Sequence, residues 1–207
     1  MTCNIGYIDD EDAVLEKYQN QIRRKDSDLN LLFVENCSSK HDVYIWILEN
    51  KIKCMLIDHR LVGKYGFNGA ELLFYLKEML PGLPTIVFTS VANEARDTKL
   101  VADSEIMDRT REFSSDGSIR NLIEKINQFC KVYSGRLAHL KNEYQELFGK
   151  RDTLSSSEME YLKRLHRQLV AYGYVDDVPA DLLDSNILKS IESLIRKIDD
   201  ITANRKL

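Results

Sequence analysis

Several features that define common protein classes are scarce or absent in this sequence of 207 residues. No stretch approaches the roughly 20 apolar residues that cross a bilayer, and the start Met-Thr-Cys-Asn has no basic segment followed by an apolar one. The cysteines are scattered without metal-ligand spacing, each in or beside an apolar run: Cys3, Cys37, Cys54 and Cys130. Reduced thiols in such surroundings behave as small hydrophobes. We therefore expect a cytoplasmic protein that is neither secreted nor membrane-spanning.

Sequence motifs of several common enzyme classes are also missing. The sequence has no Gly-rich phosphate loop, no Ser-His-Asp order and no Cys-x-x-Cys pair. It has no repeats of solenoid length and no low-complexity tract. The net charge is −4, and neither half is the strongly basic body typical of a nucleic-acid binder. With 43% apolar residues, the chain has the composition of a packed globular protein.

The first 110 residues alternate short apolar runs with longer segments of helical spacing, which is typical of a parallel sheet covered by helices on both faces. The runs are Asn4–Ile8, Leu29–Glu35, Lys53–Ile57, Thr85–Phe88 and Glu105–Met107. The helix candidates between them are Asp12–Arg24, Ser39–Asn50, Gly69–Leu80 and Ala92–Val101. This pattern predicts an α/β fold with a flavodoxin-like, doubly wound sheet of five parallel strands. Ligands of such sheets bind beyond the carboxyl ends of the strands.

From about Asp116 onward, the apolar residues follow helical periods. A 4-3 repeat predicts one helix of roughly 33 residues that ends at Gly149, through Ile119, Ile123, Ile126, Cys130, Tyr133, Leu137, Leu140, Tyr144 and Leu147. Ser155 and Glu158 form a capping-box pattern for a second helix, and Pro179 can begin a short turn. A second 4-3 repeat predicts a final helix, through Ile187, Ile191, Leu194, Ile198 and Ile201.

These patterns predict two regions. The first domain covers residues 1–130, and its last helix continues to about residue 149. The second region, residues 150–207, is all helical. It forms either a hairpin packed on the long helix or a dimeric coiled coil.

Polar side chains follow four of the five predicted strands, in the order Asp9 and Asp10, Asp58, Thr89 and Ser90, and Arg109. The carboxyl ends of parallel strands share one edge of a sheet, so we expect these side chains to converge. Neighbouring carboxylates repel one another and call for a cation, and Mg²⁺ prefers such oxygen ligands. A carboxylate beside the ion can act as a nucleophile toward a phosphoryl donor.

Three of these segments resemble the receiver domain of two-component response regulators. They are Ile5-Gly-Tyr-Ile-Asp-Asp-Glu, Met55-Leu-Ile-Asp-His-Arg-Leu and Thr85-Ile-Val-Phe-Thr-Ser, and the resemblance covers residues 1 to about 130. It implies that Asp58 accepts phosphate from a histidine kinase or another phosphoryl donor, while Thr89 and Arg109 contact the phosphoryl oxygens. It also implies a Mg²⁺ site formed by Asp9, Asp10, Asp58 and the backbone carbonyl of Arg60.

The chain departs from the family pattern at three places. The family has lysine followed by proline where this chain has Asp108-Arg109-Thr110, and a guanidinium is not interchangeable with an ammonium at a phosphate. The loop after Asp58 has no proline, and it is about three residues longer if Gly69 begins the next helix. The family's switch aromatic corresponds to Ile106, which is aliphatic. These departures concern the steps that follow phosphate capture.

Each site residue also has a structural alternative. Asp9 and Asp10 could cap the first helix, and Asp58 could end its strand in a turn. Thr89 and Ser90 could cap the helix that follows them, and Arg109 could be a solvated loop residue.

We predict an atypical response-regulator-like signalling protein that is not an enzyme beyond catalysing its own phosphorylation and dephosphorylation. It would act through protein contacts of the C-terminal helices, and the long helix allows a homodimer. One alternative is a pseudo-receiver, an interaction module of a larger assembly that is not phosphorylated. Another is a DNA-binding transcriptional regulator, against which the acidic, proline-interrupted segment Tyr172–Asp184 argues.

Overall fold

The computed structural model describes residues 3–99, 101–184, 190 and 193–196. The chain divides into two compact units, Met1–Arg136 and Leu137–Leu207. Within the described residues, no helix combines the length and the apolar character needed to cross a membrane.

The first unit is built on a parallel sheet of five strands, and this confirms the predicted fold class. The strands are β1 (Cys3–Ile8), β2 (Leu29–Phe33), β3 (Cys54–Ile57), β4 (Thr85–Thr89) and β5 (Ile106–Asp108). Their order across the sheet is β2-β1-β3-β4-β5. The order reverses between β1 and β3, so the carboxyl ends of these two strands flank the crevice where doubly wound folds bind ligands.

Eight α-helices with described bounds accompany the strands. They are α1 (Asp12–Lys25), α2 (Lys40–Glu49), α3 (Val62–Tyr65), α4 (Gly69–Met79), α5 (Ala92–Asp97), α6 (Arg109–Glu112), α7 (Asp116–Gly149) and α8 (Ser156–Ala171). Capping boxes begin three of them, with Ser39, Asn68 and Ser155 as the N-cap residues. In each box, the N-cap side chain and an acidic side chain three residues later satisfy backbone N–H groups that the helix leaves unpaired.

The predicted helix Ala92–Val101 was too long. Helix α5 ends at Asp97, where the Thr98 hydroxyl donates to the carbonyl of Ala95 at 2.7 Å. Lys99 then adopts a left-handed conformation with φ 56°, which no α-helix can continue through. The single-turn helices α3 and α6 were not predicted, because one turn is too short to show a period.

The main core lies on one face of the sheet. Alternate strand residues point to this face, among them Ile5, Tyr7, Leu31, Leu56 and Phe88, as the two-residue period of a strand requires. They pack against α1 and the first half of α7 through Ile22, Ile119, Leu122, Ile123, Ile126 and Cys130. On the opposite face, Gly6 lies so close to Met55 and to Trp46 of α2 that a Cβ atom there would overlap them.

The first and last residues of the 4-3 repeat of α7 pack against other residues of the chain. Its first residues belong to the core of the first unit. Farther along, Tyr144 and Leu147 pack with Met159 and Leu162 of α8 in a separate cluster of the second unit. The stripe therefore serves packing within the chain, and a homodimer through this helix stays a prediction.

In its described residues, the second unit is built from helices, as predicted. The capping box at Ser155 begins α8, and a 3-10 turn, Ala180–Leu183, begins after Pro179. Residues 193–196 are helical, and they include Leu194 of the predicted final helix. The other residues of that prediction, Ile187, Ile191, Ile198 and Ile201, lie outside the described residues.

Candidate functional site

The acidic residues meet at the carboxyl ends of β1 and β3. The register of these strands pairs Ile8 with Ile57, and the Asp58 backbone N–H donates to the Ile8 carbonyl at 2.9 Å. Asp9 and Asp58 are therefore neighbours as soon as the two strands end. Oxygen atoms of Asp9, Asp10 and Asp58 lie within 4.8 Å of one another. Asp9 and Asp58 are buried, whereas Asp10 is exposed.

Arg109 is buried in this acidic pocket and is not the solvated loop residue of the structural alternative. The Asp108 carboxylate caps α6 by accepting from the Thr110 backbone N–H at 2.9 Å. This cap turns the chain immediately after β5 and makes Arg109 the first helical residue. Its guanidinium donates to Asp9, and Nη1 lies 3.7 Å from Asp58 Oδ1. Only 9% of its side chain is exposed.

Two tyrosines that were not predicted as site residues hold Arg109. The Tyr7 hydroxyl donates to Asp9 and accepts from Arg109 Nη1 at 2.8 Å. The Tyr18 ring centroid lies 6.0 Å from the guanidinium carbon, within range of a cation–π contact. The sequence did contain a signal for Tyr7, because residues two apart in a strand face the same side and Tyr7 precedes Asp9 by two.

Burial and neighbouring groups have opposing effects on the pKa values of the pocket residues. Burial disfavours the charge of Arg109, but Tyr7, Asp9 and Asp58 outweigh it and raise its pKa. Burial also raises the pKa of Asp58, and the negative charge of Asp9 adds to this effect. The Arg60 backbone N–H, the charge of Arg109 and the Thr89 hydroxyl act in the opposite direction on the pKa of Asp58.

The loop after β3 is folded tightly around Asp58. The Arg60 backbone N–H donates to Asp58 Oδ2 at 2.7 Å. Gly69 begins α4 and donates its N–H to the His59 carbonyl at 3.0 Å. A Cβ atom on Gly69 would lie 2.1 Å from the Asp58 carbonyl oxygen, so only glycine fits this close approach. The loop lacks proline but is fixed by the helical turn α3 and the buried residues Leu61, Tyr65 and Phe67.

Thr89 completes the pocket on the β4 side. It is fully buried, and its hydroxyl oxygen accepts from the Val91 backbone N–H at 3.3 Å. At the rim, Arg60 forms an exposed ion pair with Glu94 of α5, with Nε 3.0 Å from Oε2. This pair joins the loop that carries Asp58 to the helix that follows Thr89.

The comparisons with known proteins concern the fold. No family model matches the chain, and no curated protein matches it. A CheY-like response regulator receiver domain protein from Methanospirillum hungatei JF-1 is 19% identical, with a TM-score of 0.46, over 66% of this chain and 99% of that chain. The N-terminal signal receiver domain of a Bacteroides fragilis response regulator is 20% identical, with a TM-score of 0.45, over 63% and 98%. The Salmonella typhimurium RcsB response regulator is 16% identical, with a TM-score of 0.47, over 86% and 96%.

The first unit has a flavodoxin-like, doubly wound fold, as predicted. This assignment follows from the strand order β2-β1-β3-β4-β5 and from the helices that cover the sheet. The structure brings together the side chains of Asp9, Asp10, Asp58, Thr89 and Arg109. The roles predicted for Asp58, Thr89 and Arg109, and for the carbonyl of Arg60, stay predictions. Ser90, which follows Thr89, is exposed.

Proposed function

We propose that this chain is a signalling protein whose receiver-type unit accepts a phosphoryl group on Asp58. The observation that carries the proposal is the position of Asp58. Its buried carboxylate lies at the end of the central strand β3, beside Asp9, Thr89 and Arg109. Doubly wound folds bind ligands at this position, and these groups match the chemistry of phosphoryl transfer.

The proposed reaction is a displacement at phosphorus. A carboxylate oxygen of Asp58 attacks the phosphorus atom of a histidine-bound or small-molecule phosphoryl donor. The new O–P bond replaces the bond from phosphorus to the donor atom, and that donor atom keeps the bonding electron pair. Arg109 Nη1, 3.7 Å from Asp58 Oδ1, supplies positive charge next to the new phosphoryl oxygens. The Thr89 hydroxyl offers a hydrogen bond to them.

The donor set fits a divalent cation. Asp9, Asp10 and Asp58 offer carboxylate oxygens within 4.8 Å of one another, and Mg²⁺ prefers such hard oxygen ligands. We expect these three residues and the backbone carbonyl of Arg60 to hold the ion. When bound, the ion neutralises negative charge on the transferring group.

The second unit is the proposed output region, acting through contact with another protein. Several of its apolar side chains are exposed in the described residues, including Tyr174, Val178, Leu194 and Ile195. Where exposed apolar side chains form one contiguous patch, they mark a protein contact site.

The phosphoryl-acceptor proposal can be tested by intact-protein mass spectrometry after incubation of the full chain with Mg²⁺ and acetyl phosphate. We expect the wild type to gain the mass of one phosphoryl group and Asp58→Asn to gain none. A matched control is Asp97→Asn, which changes an exposed carboxylate on α5 and should leave the gain intact. If the wild type gains no mass with saturating donor, or if Asp58→Asn gains as much, the proposal is wrong.

One observation favours the pseudo-receiver as a second candidate. Asp9 already accepts hydrogen bonds from Tyr7, Arg109 and the Glu11 backbone N–H. A pocket whose carboxylates are neutralised from within can persist as a structural element without phosphorylation. The same mass measurement separates the two candidates.

A further inference from the structure

Arg109 places a permanent positive charge between two carboxylates of the pocket. Its Nη1 donates to Asp9 Oδ2 and lies 3.7 Å from Asp58 Oδ1. Its Nη2 lies 3.9 Å from the Glu11 carboxylate. A guanidinium does not lose its proton in proteins. Part of the negative charge that would attract a divalent cation is therefore balanced by the chain's own side chain.

The Asp9 carboxylate is nearly saturated with hydrogen bonds. Oδ1 accepts from the Glu11 backbone N–H at 2.9 Å, and Oδ2 accepts from both the Tyr7 hydroxyl and Arg109. An ionised carboxylate offers about four lone-pair positions, so these donors take most of them. A cation that binds Asp9 has to displace at least one donor, and the charged donor also repels it.

Arg109 is held on Asp9 by packing as well as by hydrogen bonds. The Tyr18 ring lies against the guanidinium, and Tyr18 in turn stacks on Phe113 with ring centroids 4.1 Å apart. Tyr7 is 1% exposed and packs with both Tyr18 and Phe88. These ring contacts and hydrogen bonds together hold the guanidinium on Asp9.

We infer that Arg109 and a divalent cation compete for Asp9, and that Tyr7 is a positioning residue that keeps Arg109 on this carboxylate. A cation that takes Asp9 leaves Arg109 with Asp58 as its nearest other buried carboxylate. The charge of Arg109 is then directed toward the phosphoryl acceptor. The competition rests on the cation site proposed above, and only the last step also rests on phosphorylation of Asp58.

The competition can be measured without any phosphoryl donor. Free Mn²⁺ is titrated into the full chain and followed by electron paramagnetic resonance. The wild type is compared with Arg109→Gln, which removes the competing charge, and with Tyr7→Phe, which removes the hydroxyl. The matched control is Arg111→Gln, which removes the same charge from an exposed side chain of the same helical turn, α6.

We expect Arg109→Gln to bind Mn²⁺ about tenfold more tightly than the wild type or better, since charges this close interact strongly outside bulk water. Tyr7→Phe should tighten binding by about two- to fivefold, because it frees one lone-pair position of Asp9. Arg111→Gln should change the affinity by less than about twofold, since exposed charges are screened.

A second readout follows Arg109 directly. In ¹⁵N spectra of the wild type titrated with Mg²⁺, the Arg109 Nε–H signal, identified by its absence from Arg109→Gln, should shift in parallel with cation binding. A merely structural Arg109 would keep its signal in place.

Unchanged or weaker Mn²⁺ binding by Arg109→Gln overturns the inference, and so does the absence of binding by every variant. If Arg109→Gln does not fold, Tyr7→Phe decides: tighter binding supports the inference and unchanged binding overturns it. Failure of Asp58 phosphorylation with tighter Mn²⁺ binding by Arg109→Gln would defeat the proposed function and leave the competition standing.

Discussion

The two ends of the sheet in the first unit are built from opposite kinds of side chain, although both are buried. The amino ends of three strands begin with the buried residues Cys3, Leu29 and Cys54. The carboxyl ends lead into the buried Asp9 and Asp58, and into Arg109. Buried charges are costly to desolvate unless they pair with one another. The carboxyl end of the sheet therefore carries the charged site, whereas the amino end serves packing.

The largest loss of stability is expected when Asp9 is replaced. Asp9→Ala leaves Arg109 buried without its main partner and should lower the free energy of unfolding by about 3–4 kcal/mol. Asp10→Ala changes the exposed neighbour and should stay within about 0.5 kcal/mol. Urea unfolding of both variants measures the difference, and equal losses would show that the carboxyl end does not depend on its buried charges.

The next largest loss of stability is expected from backbone crowding at the carboxyl end of the sheet. Gly69→Ala places a Cβ atom against the Asp58 carbonyl oxygen and should cost about 2–3 kcal/mol, the range for overpacking. Gly63→Ala is the control, because its Cβ would meet nothing within 4 Å. Thermal unfolding of the two variants tests this, and a Gly69→Ala variant as stable as Gly63→Ala would contradict the close approach.

At the amino end of the sheet, we expect a polar substitution to lower the stability more than a loss of volume does. Cys54 is fully buried, and burial raises the pKa of its thiol. Cys54→Ala should cost about 1 kcal/mol through the lost volume. Cys54→Ser should cost about 2 kcal/mol, because a hydroxyl is then buried among apolar residues. If serine proves as stable as alanine in urea unfolding, this end is more polar than its side chains indicate.

The smallest effect is a pH dependence at Asp58. Its folded-state pKa is raised above the usual 3.8, so the folded chain binds this proton more tightly than the unfolded chain. The wild type therefore loses stability as the pH rises from the unfolded-state pKa of Asp58 to its higher folded-state pKa. Asp58→Asn, which cannot ionise, should be more stable than the wild type by about 1 kcal/mol near pH 7.

Unfolding curves collected from about pH 7 down to about pH 3.5 should show this advantage shrinking as the pH falls toward the ordinary carboxyl pKa of 3.8. An advantage that grows toward acid pH would mean that the folded-state pKa of Asp58 is lowered, contrary to the effect of burial.

Most of the fold could be predicted from the sequence because it depends on local periods. Apolar runs gave the five strands, and helical spacing together with capping residues gave the long helices. The end of α5 could not be predicted, because it depends on the left-handed conformation of Lys99 and not on the apolar pattern.

The candidate site was predictable in part. Strand ends indicated the meeting of Asp9, Asp58, Thr89 and Arg109. The state of Arg109 was not predictable, because its hydrogen bond to Tyr7 joins residues 102 positions apart. The burial of a charged residue depends on partners of this kind, which no local pattern reveals.

Tyr7 belongs both to the apolar core and to the acidic pocket. Its ring belongs to the apolar core beside Phe33 and Phe88, while its oxygen belongs to the acidic pocket. A change in ring packing at Phe33 or Phe88 would therefore tilt the phenol and move its oxygen relative to Asp9. Selection for a working pocket would thus also restrict which residues can replace Phe33 and Phe88 in the core.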